Sequence, residues 1–193
     1  MNQITLIVGL GNLGAKYEGT RHNAGFWFID ELSRRYSLHF KLESRFQGDC
    51  AQIQINESPI RVLRPRTFMN KSGQAVNSLV RYFSIKPTSV LVVHDDLDLE
   101  PGIARLKIGG GHGGHNGLRD LIRHMNSNDF VRLRLGIGHP GYPDEVTNYV
   151  LDKPNPDQHL SIFGAISRSI QLMDLIINGD HAKVMNELHR TGD

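Results

Sequence analysis

The order of apolar segments predicts an α/β fold, with a single mixed, mostly parallel, twisted sheet flanked by helices on both faces. Residues 3–8 and 89–93 are short and almost wholly apolar, as strands covered on both faces are. Segments with apolar residues at helical spacing alternate with them. A chain of 193 residues, 39% hydrophobic and 22% charged, suits one globular domain over 1–193 with a sizeable core.

Bulk features narrow the function classes. No run of eighteen apolar residues exists, which argues against a membrane span. The first residues lack the charged-then-apolar build of a signal peptide, so a cytoplasmic location is expected. The single cysteine, Cys50, excludes an internal disulfide framework and fits a reducing compartment. It alternates with Ala51 and Ile53, the setting of a buried structural thiol. Net charge is +2, so a local basic patch matters more than the sum.

The first strand, 3–8, ends in Gly9-Leu10-Gly11-Asn12-Leu13-Gly14. This has the spacing of a dinucleotide fingerprint, but Ala15-Lys16-Tyr17-Glu18-Gly19-Thr20-Arg21 shows no apolar helical face to follow it. A tight turn is the simpler reading, and such a turn delivers Asn12 to a cleft at the carboxyl end of the strand. A helix over 22–36 carries Phe26, Ile29 and Leu32 as its stripe, with Thr20 as cap and His22 in the first turn.

After a mixed basic stretch, 50–55 and 60–64 read as a hairpin turned at Ser58-Pro59. Asn70 is a candidate cap for a helix reaching Phe83, with Val76, Leu79, Val80 and Phe83 inward, and Pro87 closes it. Strand 89–93 runs into His94-Asp95-Asp96-Leu97-Asp98, where an α/β sheet usually keeps its reactive groups. Pro101-Gly102 turns the chain into a short strand, 104–108.

Gly109-Gly110-Gly111-His112-Gly113-Gly114-His115-Asn116-Gly117 holds six glycines in nine positions and leads into a helix ending near Asn126. Such a loop suits left-handed backbone or close approach, and a loop feeding a helix start can present N–H groups to an anion. With Asp95 before it and Lys107 at its edge, it reads best as one wall of a cleft, with phosphates left to the flanking basic residues. Residues 130–138 alternate with period two and form a strand with its arginines on one face. A composition seam at 139–156, with a helical piece over 145–150, reads as a surface lid. A long helix over 157–177 places Leu160, Phe163, Ile166, Ile170, Met173 and Ile177 on one side and stops at Asn178-Gly179. A last helix over 181–190 offers Val184, Met185 and Leu188.

Asn12, His22, Asn70, Asp95, His112, His115 and Asn116 gather at the ends of these segments, and they fit several chemistries. A metal-free hydrolase would use a histidine oriented by an aspartate to activate water, with asparagines or loop amides holding an oxyanion. His22 and Asp95 suit that pair, and no G-x-S-x-G or reactive cysteine competes. A metallohydrolase could draw on His22, His94, Asp95, His112 and His115, although no H-E-x-x-H occurs. A nucleotide-binding oxidoreductase rests on the fingerprint spacing alone. A non-catalytic nucleic-acid binder would use Arg105, Lys107, Arg132 and Arg134 as a strip for phosphates. Plainer readings stand beside these: His94 as a core residue, His112 as a loop residue, Asn70 and Asn116 as helix caps. His139, His159, His181 and His189 lack catalytic context.

Taken together, five ordered blocks resemble the bacterial peptidyl-tRNA hydrolase family. They are residues 8–25, from Val8-Gly9-Leu10-Gly11-Asn12 to Thr20-Arg21-His22-Asn23-Ala24-Gly25; Pro65-Arg66-Thr67-Phe68-Met69-Asn70-Lys71-Ser72-Gly73; His94-Asp95-Asp96-Leu97-Asp98; the glycine block through Leu118; and residues 132–141. The resemblance implies hydrolysis of the ester joining a peptide to the 3′ end of tRNA. It implies His22 as the base that activates water, Asp95 as its support, and Asn12 as a group positioning substrate and water. Asn70 and Asn116 would bind peptide or terminal-nucleotide groups, with His115, Tyr17 and Met69 also in the substrate cleft. Arg105, Lys107 and Arg134 would meet acceptor-end phosphates; the family often has lysine where this chain has Arg105. It further implies a monomer without metal or cofactor, acting on peptidyl-tRNA and not on DNA or a membrane.

Overall fold

The computed structural model describes residues 3–55 and 58–190. Seven strands form one sheet in the order β2-β3-β4-β1-β5-β7-β6. They are β1 (Leu6–Gly9), β2 (Lys41–Glu43), β3 (Gly48–Ile55), β4 (Ser58–Pro65), β5 (Val90–Asp96), β6 (Ala104–Ile108) and β7 (Val131–Gly136). β4, β1, β5 and β7 run parallel at the centre. β2, β3 and β6 add antiparallel edges. The α/β class with a mixed sheet is therefore as the apolar runs foretold.

Period-two alternation sorts the core into two layers. Ile7, Leu91, Val93, Leu133 and Leu135 face one side, packed with α1 (Ala24–Tyr36), α5 (Pro156–Gln171), α6 (Met173–Asn178) and α7 (His181–Arg190). Leu6, Val8, Val90 and Val92 face the other, packed with α2 (Ser72–Tyr82) and α3 (Asn116–Met125). β7 breaks the symmetry. Its Val131, Leu133 and Leu135 enter the first layer, while Arg132 and Arg134 alternate with them toward the second.

Several local expectations are corrected. Thr20 precedes a 3₁₀ turn (Arg21–Asn23), and its hydroxyl donates to the Tyr17 carbonyl instead of capping α1. The β2 strand was hidden in a basic stretch with little apolar content. Ser58-Pro59 already belong to β4 instead of turning the hairpin, and residues 56–57 lie outside the described residues. Asn70 lies in a 3₁₀ turn (Met69–Lys71) and caps nothing; Asp120 supplies an acceptor to the Gly73 N–H at 2.8 Å instead. Phe83 stands just past α2, 38% exposed, under the Arg61 guanidinium at 3.7 Å. The long C-terminal helix is broken at Leu172 into α5 and α6. Leu160 is 75% exposed because the buried face runs through Ile162, Ala165 and Ile166, and two positions is about 200° around a helix. Cys50 is half-buried, and burial, with Glu43 and Asp49 nearby, pushes its thiol up to about 11, so it is no nucleophile.

The crossing of α1 over the sheet needs glycine twice. A Cβ on Gly25 would sit 2.5 Å from the Leu10 and Val93 carbonyl oxygens, and one on Gly9 would sit 2.4 Å from the Gly25 oxygen. This close packing, not a dinucleotide loop, explains Gly9, and α1 opens only at Ala24. Gly25→Ala must move backbone, so a loss of about 3 kcal/mol is expected, read as a lowered denaturation midpoint.

Among the described residues, no helix is long and apolar enough to cross a membrane.

Candidate active site

Parallel strands bring their carboxyl ends to one edge, and ligand sites of open α/β sheets form there. β1 delivers Asn12 and the 3₁₀ turn before α1 delivers His22. β5 carries Asp95 at its carboxyl end, the β4–α2 connection carries Met69 and Asn70, and the glycine loop with the start of α3 carries His115 and Asn116. These residues line one cleft of about 890 Å³, together with Tyr17, Lys107 and Arg134.

Asp95, 3% exposed, is its centre. His22 Nδ1 lies 3.0 and 2.9 Å from its two carboxylate oxygens, and His115 Nε2 lies 3.0 Å from Oδ1. The His115 tautomer follows from its other nitrogen. Nδ1 accepts from the Gly117 and Leu118 N–H groups at 3.1 and 3.3 Å, capping α3, so the proton is on Nε2 and is donated to Asp95. The cap is therefore His115 and not Asn116, which is left exposed in the cleft wall, as Asn70 is. Because an ionised carboxylate only accepts, His22 also donates through Nδ1, and its Nε2 is left for the cleft.

Burial works to raise the Asp95 carboxyl, but His22 and His115, as charges and as N–H donors, outweigh it and hold it well below the usual carboxylate range. Burial works to lower His22, and the Asp95 charge and hydrogen bond outweigh that, leaving it raised above its ordinary 6.5. His94 differs. Burial, with His115 adding to it, brings it down to about 3, and its Nδ1 donates to the Asp95 backbone carbonyl at 2.7 Å. It is a neutral core residue packed edge-on against His115.

Asn12 is oriented from both ends. Its side-chain oxygen accepts from the Met69 N–H at 2.8 Å, which turns its NH₂ group toward the remaining space of the cleft. Asn23 holds its backbone, accepting from the Asn12 N–H at 2.8 Å and donating to the Asn12 carbonyl at 2.9 Å. Asn23 received no role from the sequence, although it stands beside His22; its own signal was a polar residue at the start of an otherwise apolar helix. Phe68, 61% exposed beside the buried Met69, also lines the cleft and was missed. So was His139, whose Nδ1 accepts from the Gly141 N–H at 2.9 Å.

The basic strip is only partly assembled. Register pairs Arg105 with Arg134 and Lys107 with Arg132, so the four do share a face. Arg132, however, is 2% exposed and donates to the Gly110 and Gly111 carbonyls, fastening the glycine loop. Arg134 donates to Asp96 at 2.6 Å. Arg105 turns to the Leu188 carbonyl at 2.8 Å, outside the cleft lining. Lys107 is exposed at the cleft edge with no acidic partner among the described residues. The loop aims carbonyls at Arg132, which suits a wall better than an anion cradle. Gly109, Gly110, Gly113 and Gly114 have φ of 67°, 99°, 54° and 80°, so backbone handedness is what demands glycine there.

Of the residues considered as metal ligands, His22, Asp95 and His115 offer ligand atoms within 4.8 Å of one another, and His94 and His112 do not join them. Both imidazoles already give their N–H to Asp95, and His115 Nδ1 serves the helix cap. A cation would have to displace these bonds.

A buried carboxylate that orients an imidazole, amide donors around an open cleft, and no serine or thiol among the lining residues define a hydrolytic α/β enzyme that works through water. The comparisons make the class specific. The family model described as peptidyl-tRNA hydrolase matches residues 6–193. The peptidyl-tRNA hydrolase of Halorhodospira halophila is 49% identical over 184 residues, covering 95% of each chain. That of Actinobacillus pleuropneumoniae serotype 3 is 49% identical over 190 residues, covering 98% of each. The crystal structure of peptidyl-tRNA hydrolase from Acinetobacter baumannii superposes with a TM-score of 0.94 at 44% identity, covering 97% of this chain and 95% of that one. The chain belongs to the peptidyl-tRNA hydrolase family and is an enzyme of that class.

Proposed function

We propose that His22 is the general base for hydrolysis of the ester between a peptide and the 3′-terminal ribose of tRNA. The observation that carries this is the convergence of two imidazole N–H groups on Asp95, which fixes the His22 tautomer and leaves Nε2 as a lone pair facing the cleft. Nε2 takes a proton from water as the water oxygen attacks the acyl carbon. The carbonyl electrons move to oxygen, where the Asn12 NH₂ and the exposed amides of Asn70 and Asn116 are the available donors. Collapse re-forms the carbonyl and expels the ribose 3′ oxygen, which takes the proton back from His22. A peptide with a free carboxylate and tRNA with a free 3′ hydroxyl leave. Asp95 raises the His22 pKa, which strengthens the ring as a base for this transfer.

Tyr17 and Met69 line the substrate side of the cleft. Selection of peptidyl over aminoacyl esters follows from donors aimed at peptide carbonyls, which a free α-amino group cannot satisfy. Lys107 and Arg134 take acceptor-end phosphates, with Lys107 the stronger because Asp96 already neutralises Arg134. Arg105 acts from outside the lining. The segment 139–156, with α4 (Val146–Leu151) in it, covers one side of the cleft, and the chain acts as a monomer.

Lys107→Ala is expected to raise KM with little change in kcat, and to flatten the fall of kcat/KM with salt by about one counterion. Titration of the rate against salt checks this; an unchanged slope contradicts the phosphate role. The whole reading is tested by comparing ester cleavage of peptidyl-tRNA and of aminoacyl-tRNA, before and after chelation. Release from the peptidyl ester alone, unchanged by chelator, supports it. Loss on chelation restored by a divalent metal favours metal chemistry, and tRNA binding without release favours an RNA-binding module.

A further inference from the structure

The residue immediately before His22 is bound to the opposite wall of the cleft. Arg21 is 7% exposed, and its guanidinium reaches across the fold. Nη1 donates to the Tyr149 and Asp152 carbonyls at 3.0 and 3.2 Å, and Nη2 donates to Gln158 Oε1 at 3.0 Å. Its backbone N–H donates to the same Asp152 carbonyl at 3.1 Å. The guanidinium carbon lies 4.0 Å from the centre of the Tyr149 ring.

These partners are the end of α4 and the start of α5. Tyr149 is in the last turn of α4, and Asp152 is its C-cap. Helix ends leave carbonyls without internal partners, and a cation there also meets the negative end of the helix dipole. A helix of six residues has little stability of its own, so such a tie matters more for it than for a long one. Gln158 completes the capping box of α5 with Asn155. Tyr149, stacked under the guanidinium, is pinned in turn by its hydroxyl, which donates to the Ile137 carbonyl at 2.6 Å. The other side of α4 forms cleft wall through Val146, Thr147, Val150 and Leu151.

We propose that Arg21 is a positioning residue that latches the α4 wall of the cleft to the turn carrying His22, so that the substrate-holding wall and the base move as one body. Arg21 has no place in the cleft lining and acts through its neighbours. The role depends on the planar fork of arginine: one amino group bridges two carbonyls while the other reaches a third acceptor. Lysine keeps the charge but cannot hold this arrangement. Without the latch, α4 leaves the turn independently. Substrate is then held less well, and His22 meets the ester less often in the right geometry. Residues that tie moving elements to a site change kcat and KM together.

The proposal rests on His22 as base, and the test separates the two. Arg21→Met, Arg21→Lys and His22→Ala are assayed on peptidyl-tRNA well below their melting midpoints, and α4 amide hydrogen exchange is measured with and without a non-hydrolysable peptidyl-adenosine analogue. Arg21→Met is expected to lower kcat/KM about a hundredfold, shared between kcat and KM. Its α4 amides should exchange faster and lose the protection that the analogue confers on the parent enzyme. Arg21→Lys should fall between the two. Folded Arg21→Met with parental kcat and KM, or with reduced activity but parental α4 exchange, overturns the latch. If Arg21→Met does not fold, Arg21→Lys decides by the same readouts. Inactive His22→Ala beside fully active arginine variants leaves the base in place and removes the latch, whereas active His22→Ala removes the base itself.

Discussion

His22→Ala is expected to lower the single-turnover rate of peptide release by about a thousandfold while leaving tRNA affinity within a few-fold of the parent enzyme. The reason is geometric. The ring is held by Asp95 through Nδ1, so Nε2 is the lone pair that the cleft receives. Among the described residues, no serine or thiol lines the cleft to substitute for it. Binding should be spared because the proposed phosphate contacts are Lys107 and Arg134, which His22→Ala leaves in place. Residual hydrolysis would come from Asn12 and the other amide donors, the groups proposed to meet the ester and its oxyanion. Some loss of stability is expected as well, since the ring is buried and its removal leaves the buried Asp95 carboxylate with one imidazole donor in place of two. A single-turnover time course with binding measured in parallel checks the pair of outcomes. A rate within tenfold of the parent, or loss of tRNA binding equal to the loss of rate, contradicts the role.

Asp95→Asn is expected to cost at least as much, on the order of a thousandfold or more, although the side chain keeps its shape. The carboxylate accepts from His22 Nδ1 and His115 Nε2 at once. A carboxamide has one accepting oxygen and one NH₂ group. One imidazole must then present a lone pair to that NH₂. His115 resists, because its Nδ1 is already the acceptor for the Gly117 and Leu118 amides and its proton must stay on Nε2. His22 therefore yields, its proton moves to Nε2, and the base is lost without leaving its place. The negative charge that raises His22 is lost as well. Folded protein with a parental far-UV spectrum and a rate within tenfold of the parent would contradict this account.

The fold was legible where one periodicity dominates a segment. β1 and β5 declared themselves as apolar runs, and β6 as a short alternating strand. Asp95 could be placed because it closes an apolar run, and His22 because it stands beside the loop that follows another such run, just ahead of a helix. What was not legible depends on contacts between distant segments. Whether Asp95 reaches His22 is a matter of 73 positions in the chain closed by parallel pairing of β1 and β5. The cap on α3 is a histidine whose two ring nitrogens serve the helix amides and Asp95 at once, a pairing that sequence spacing does not carry. Alternation correctly put four basic residues on one face, but it carries nothing about partners. Arg132 is spent on the glycine loop, Arg134 on Asp96 and Arg105 on Leu188. Arg21 was invisible for the same reason, since its partners lie more than a hundred positions away, in a segment that reads as loop.

The central claim is that Asp95 sets His22 as the base, and the pH dependence of the single-turnover rate reads it directly. The unprotonated ring is the active form, and Asp95 raises its pKa above 6.5. Activity must therefore fall as pH drops through that raised value and level off above it. In the parent enzyme, the rate between about pH 5 and pH 9 should follow one ionisation with its midpoint above 6.5, losing about tenfold per pH unit on the acid side. In Asp95→Asn, the residual rate should lose that limb or show it displaced downward. A flat profile in the parent, or an acid limb that stays in place when Asp95 is replaced, would contradict the claim.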